Sequence, residues 1–176
     1  MVIHKRSAAL KILFIGALFC IYANLALAGD NIIMHGHSGQ IEYPNLATSP
    51  AYKGWGLDFV ENSSNASGNW IHYAIPVSAA GRVRYVQVRI YHEQGADVGL
   101  MEVDVWNGRN KVKNITKDAD NRPLNDRVAG YRSYSLDLGQ YYIFGDGLGI
   151  SIRVARGTTT ASHRINVVNV AAVVEQ

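Results

Sequence analysis

The residues in this chain best suited to chemistry are aromatic rings standing beside planar polar groups, and they recur at even spacings. Trp70 and His72 share one parity, as do Gln87, Arg89 and Tyr91, and again Glu102, Asp104 and Trp106. On an extended strand, even spacing puts side chains on one face. If the three strands that carry them are neighbours, that face offers rings for stacking and donors and acceptors for hydroxyl groups, which suits a sugar. The expected ligand-binding set is Trp70, His72, Arg89, Tyr91, Glu102, Asp104 and Trp106. The competing reading pairs Arg89 with Glu102 or Asp104 across the ladder and tucks the indoles under loops as a secondary core.

Two other constellations reach less far. His35-Gly36-His37 on a strand places both imidazoles on one face, with Glu42 a little further on. A metal centre needs three or four convergent ligands, and this stretch supplies two or three, so no metal and no other cofactor is assigned. Glycoside hydrolysis needs two carboxyls roughly 5 to 9.5 Å apart. Glu102 with Asp104, or Glu42 with Asp58, could meet that spacing, but so do neighbours on any half-exposed strand. The chain has no Gly-x-Ser-x-Gly elbow, and its one cysteine, Cys20, lies near the amino terminus. No catalytic residue is assigned.

The elements that must position these residues read as strands. Val86, Val88 and Ile90 alternate with Gln87, Arg89 and Tyr91; Met101, Val103 and Val105 alternate with Glu102, Asp104 and Trp106. Asn107-Gly108 then signals a two-residue hairpin turn of type I′, both residues at positive φ. Trp70 to Val77 sorts cleanly, with Ile71, Tyr73, Ile75 and Val77 on one face. The apolar phase flips between Tyr85 and Val86, which predicts a bulge or a change of sheet. Tyr134, Leu136 and Leu138, and later Leu148, Ile150, Ile152 and Val154, repeat the alternation. Arg164 to Val174 is apolar on both parities, as in a strand covered on both faces. Pro44 to Lys53 and Thr116 to Gly130 read as loops. No segment of helical length has a 3.6-residue period. Nine or ten short strands predict an all-β, antiparallel two-sheet sandwich of jelly-roll type.

The amino terminus reads as a secretory leader. Lys5, Arg6 and Lys11 are its basic region, Ile12 to Tyr22 its apolar core, and Ala26-Leu27-Ala28 its cleavage site. Cleavage would leave residues 29–176 as one domain, secreted or periplasmic and no longer tied to a membrane. It removes three cations and no acid, so the formal charge of +3 falls to zero. A neutral chain carries no electrostatic footprint for nucleic acid. It also loses Cys20, so the core rather than a disulfide must hold the fold.

Several islands resemble a family of small β-sandwich proteins known only as a domain of unknown function: Met34-His35-Gly36, Gly54-Trp55-Gly56, Trp70-Ile71-His72 with Ile75-Pro76, Val103 to Gly108, and Gly147 to Ile152. The resemblance implies the sandwich and carries no activity. The residues themselves predict a non-catalytic module that binds a glycan or a cell-surface partner. A small secreted hydrolase and a structural surface protein are the alternatives.

Overall fold

The structure, a computed structural model, describes residues 30–63, 67–159 and 163–175. The leader assigned to residues 1–28 lies outside them. Eleven strands follow one another: β1 (Asp30–His35), β2 (Gln40–Ile41), β3 (Ala47–Lys53), β4 (Gly56–Glu61), β5 (Asn69–Ile75), β6 (Arg82–His92), β7 (Val98–Asn107), β8 (Asn110–Ile115), β9 (Gly130–Ile143), β10 (Leu148–Arg156) and β11 (Arg164–Glu175). Single 3₁₀ turns at Gly36–Ser38 and Pro44–Leu46 are the helical elements among the described residues.

The strands form two antiparallel sheets packed as a sandwich. One runs β3-β4-β11-β6-β9, with β1 joining the far half of β11; the other runs β2-β5-β10-β7-β8. The pairings β4 with β11, β5 with β10, β6 with β9 and β7 with β8 nest inside one another. That nesting is the double Greek key of a jelly roll. Successive pairs fall in alternate sheets, so strands adjacent in sequence often face each other across the core.

Parity determines what fills that core. Val86, Val88 and Ile90 meet Leu136, Val167, Val170, Ile150, Ile152, Val103 and Val105 in one apolar cluster. Fully burying a side chain of this size contributes about 1.5 to 3 kcal/mol. The phase flip near Tyr85 is a bulge, since the register of β6 shifts between Val83 and Tyr85 against β9.

Four sequence expectations need correction. Residues 44–53 are a 3₁₀ turn followed by strand β3 rather than a loop, which raises the strand count to eleven. Strand β3 is a polar edge strand burying Ala47 alone, so it shows no hydrophobic alternation. The turn after β7 holds Gly108 and Arg109, and among Asn107, Gly108 and Arg109 the glycine alone has positive φ. Glycine at the first central position belongs to the II′ kind. Asn107 instead spends its side chain on the neighbouring loop, accepting from the Asp146 N–H at 3.1 Å and donating to the Ile143 carbonyl at 3.3 Å. Met101 is not in the alternating core set, because β7 bulges against β10 there and Leu100 takes the inward position. Finally, β11 is not apolar cover on both sides: its outer face opens with Arg164 and Asn166.

Candidate functional site

The expected composite face does not exist as one surface. Trp70 and His72 on β5, with Glu102, Asp104 and Trp106 on β7, flank β10 in one sheet, whereas Arg89 and Tyr91 on β6 lie in the other. The two groups occupy opposite outer faces of the sandwich, because the nested pairing separates β5 from β6.

On the β5-β10-β7-β8 face, cross-strand rows close on themselves. Trp70, Arg153 and Glu102 form one row; His72, Ser151, Asp104 and Asn114 form the next. Glu102 pairs with Arg153, so neither acid uses Arg89. Asp104 is buried and accepts from Lys111 at 2.9 Å and from Asn114 at 2.7 Å. The Arg153 guanidinium stands 6.0 Å from the Trp70 ring, and the Lys111 ammonium 5.4 Å from that of Trp106. Both indoles are half-buried under these cations. Both acids and a face of each ring are occupied, while the buried Trp106 Nε1–H has no hydrogen-bond partner.

The same face holds a chain of acid, imidazole and hydroxyl. Glu42 Oε2 is 3.2 Å from His72 Nε2, and His72 Nδ1 is 2.8 Å from Ser151 Oγ. This has the order of a nucleophilic triad. Strand β10 is laddered on both edges around Ser151, which engages the backbone N–H groups an oxyanion would need. Of the two proposed carboxylate pairs, Glu42 and Asp58 are parted, since Glu42 follows β2 in one sheet and Asp58 is on β4 in the other, while Glu102 and Asp104 share a face and both accept from the Asn114 amide. Among the described residues, the carboxyl that burial pushes above its ordinary value is Glu61, which is wholly buried and holds the Ser63 N–H at 2.6 Å.

The opposite face is open. Asp58, Asn166, Tyr91 and Tyr131 form one row across β4, β11, β6 and β9. Trp55, in the turn between β3 and β4, overhangs it, and Glu93 and Arg164 complete a cleft of about 360 Å³. Trp55 is 60% exposed, Tyr131 59% and Tyr91 38%. The tyrosine rings lie 5.0 Å apart, tilted by 56°, and the Arg89 guanidinium stands 4.9 Å from the Tyr131 ring. Asp58 is held between Lys53 at 3.2 Å and Arg164 at 2.7 Å. Between Asp58 and Tyr91 sits Asn166, 5% exposed, with neither its amide nitrogen nor its amide oxygen in a hydrogen bond. Each buried polar atom left so costs about 1 to 3 kcal/mol.

Two glycines hold the Trp55 turn against this row. A Cβ on Gly36 or on Gly56 would overlap the Val167 carbonyl of β11, and Gly56 has a φ of +147°. The Met34-His35-Gly36 and Gly54-Trp55-Gly56 islands therefore meet at one carbonyl. Of the predicted ligand-binding set, Tyr91 lines this cleft and Arg89 stands beside its Tyr131 ring; Trp55, Asp58, Tyr131, Arg164 and Asn166 were not in that set. An indole between two glycines was one available signal, and Arg-x-Asn at the head of an otherwise apolar strand was another.

No family model matches the chain, and no curated protein matches it. Among solved structures it is similar to the C-terminal CBM6 of LamC, a marine laminarinase from Zobellia galactanivorans, at 12% identity and a TM-score of 0.47, over 82% of this chain and 99% of that one. It is also similar to the xylan-binding module CBM15, at 11% identity and a TM-score of 0.42, over 84% of this chain and 99% of that one. A third likeness is the catalytic domain of a GH87 α-1,3-glucanase in complex with nigerose, at 13% identity and a TM-score of 0.40; this chain covers 28% of that one. Likenesses this loose say nothing of what the chain binds. Among the described residues no helix is long and apolar enough to cross a membrane.

Proposed function

We propose that the chain is an exported, non-catalytic binding module whose cleft over β4, β11, β6 and β9 receives a glycan. One observation carries the reading: the exposed rings of Trp55, Tyr91 and Tyr131 surround the partnerless amide of Asn166. Sugar rings present C–H faces that stack on aromatic planes, and their hydroxyls both donate and accept. A planar amide beside a fixed carboxylate offers both roles at once, which supports a vicinal diol as the group recognised. Export rests on the leader, and a free glycan or a cell surface bearing one would be the partner.

Affinity electrophoresis and a glycan array test it. Trp55→Ala, Tyr91→Ala and Tyr131→Ala are each expected to weaken binding roughly tenfold or more. Trp70→Ala and Trp106→Ala are expected to leave it intact. Binding that survives all three cleft substitutions removes the site. The hydrolase alternative has one observation in its favour, the chain from Glu42 through His72 to Ser151. Turnover of a nitrophenyl ester that disappears in Ser151→Ala would turn the assignment toward it.

A further inference from the structure

The strand β1 ends at His35, and the 3₁₀ turn that follows folds His37 back onto it. The imidazoles do not simply share a strand face, as the sequence suggested. Their ring centroids are 4.6 Å apart, and His35 Nδ1 lies 2.7 Å from His37 Nδ1. The other nitrogen of His35, Nε2, is 3.0 Å from the Gly54 carbonyl oxygen. A carbonyl only accepts, so Nε2 carries the proton and the Nδ1 lone pair of His35 is free for a partner. That lone pair now receives the Nδ1–H of His37 and, at 3.3 Å, the backbone N–H of His37.

We propose that His35 and His37 form a two-nitrogen chelate for a divalent transition ion, with copper(II) preferred. Two nitrogens about 2.0 to 2.1 Å from one ion and at right angles to each other stand about 2.9 Å apart. The observed separation is close to that; binding would turn both rings so that their lone pairs converge on the ion, and moving the His37 proton from Nδ1 to Nε2 frees the second lone pair without changing its charge. A ring nitrogen held by a backbone carbonyl is the usual outer support of a metal-bound imidazole, fixing tautomer and orientation together. Imidazole donors in a right-angled pair suit copper(II) and nickel(II), and copper binds the tighter of the two. Among the described residues no third His, Cys, Asp or Glu completes a cluster, so water would fill the remaining positions and the ion would exchange readily. Gly54 neighbours Trp55, so the ion would sit beside the turn that carries the cleft's most exposed ring. The inference itself does not depend on what the cleft binds.

Calorimetric titration of the untagged chain with CuCl₂, NiCl₂ and ZnCl₂ in a non-coordinating buffer tests it, with electron paramagnetic resonance of the copper form. The expected result is one copper(II) per chain, bound more tightly than nickel or zinc, with a spectrum reporting two nitrogen ligands. His35→Ala and His37→Ala should each weaken copper about 10²-fold, since either leaves a single donor. Their thermal unfolding should stay close to that of the parent, because His37 is exposed and His35 half-buried. Absence of saturable copper binding, or binding that both substitutions leave unchanged, overturns the proposal. In the second case the ion is held elsewhere, for example at the amino terminus beyond the other end of β1.

Discussion

The two outer faces of this sandwich are built from similar residues and end in opposite states. On the β5-β10-β7-β8 face each indole lies under a cation, and Glu102 and Asp104 each have a basic partner. On the β4-β11-β6-β9 face the rings of Trp55 and Tyr131 are mostly exposed and a buried amide has no partner. Aromatic and polar composition is therefore a poor guide to a binding surface. What separates the faces is exposure: cations also stand by Trp55 and Tyr131, Lys53 at 5.0 Å and Arg89 at 4.9 Å, yet those rings stay open to solvent.

The sharpest way to break the comparison is to remove the platform beneath the open face. Gly36→Ala drives a methyl group into the Val167 carbonyl of the central strand β11. The expected loss is about 4 kcal/mol or more, read as the shift in the urea midpoint. Binding alone is not expected to fail while the fold persists.

Next comes the closed face, where Asp104→Ala strips Lys111 and Asn114 of their shared acceptor. With Lys111 partly in water, the expected cost is about 1 to 2 kcal/mol, and glycan binding should be unchanged. A loss of binding at unchanged stability would make the closed face the functional one.

Asn166→Leu sharpens the contrast from the other side. Replacing an amide that bonds to nothing with an apolar group of similar shape should cost less than about 1 kcal/mol, or stabilise, while abolishing binding. The matched control is Asn69→Leu. Asn69 accepts from the Tyr43 N–H at 3.1 Å and donates to the Tyr43 carbonyl at 3.0 Å, so its loss should destabilise plainly.

A last effect, away from both faces, is acid sensitivity carried by His92, fully buried at the end of β6. Burial holds its imidazole below the ordinary value, with the Asp126 charge opposing that shift. The unfolded chain thus takes up this proton first. The stability tied to it is intact above about pH 6.5 and falls away as pH drops below, by at most about 1.4 kcal/mol per pH unit. Urea midpoints at pH 7.5 and pH 5 should differ in the parent and draw closer in His92→Phe.

Much of this architecture was legible in advance. Parity alone sorted Ile71, Tyr73 and Ile75 from Trp70 and His72, and the flip at Tyr85 marked a real bulge. Strand adjacency was not legible. Whether β6 lies beside β5 or beside β9 and β11 depends on nested pairing, which leaves no local trace in the strands themselves. The state of each ring was hidden for the same reason: the cation near Trp70 is Arg153, contributed by a strand far along the chain. Trp55 escaped because Gly54 to Phe59 reads as one short strand, whereas β4 begins only at Gly56 and leaves the indole in the turn before it.

The nested winding has a consequence in time. Arg164 and Asp58, joined across the outermost pair of strands, stand 106 positions apart. Loops of that length close slowly, and sheets dominated by such contacts are among the slower folds. The row Asp58, Asn166, Tyr91 and Tyr131 cannot be assembled until β11 has docked. A nascent chain on the ribosome would thus stay ligand-silent until nearly all of it had emerged. Clipping its last strand would erase recognition in a single cut, and the first appearance of binding would time the end of folding.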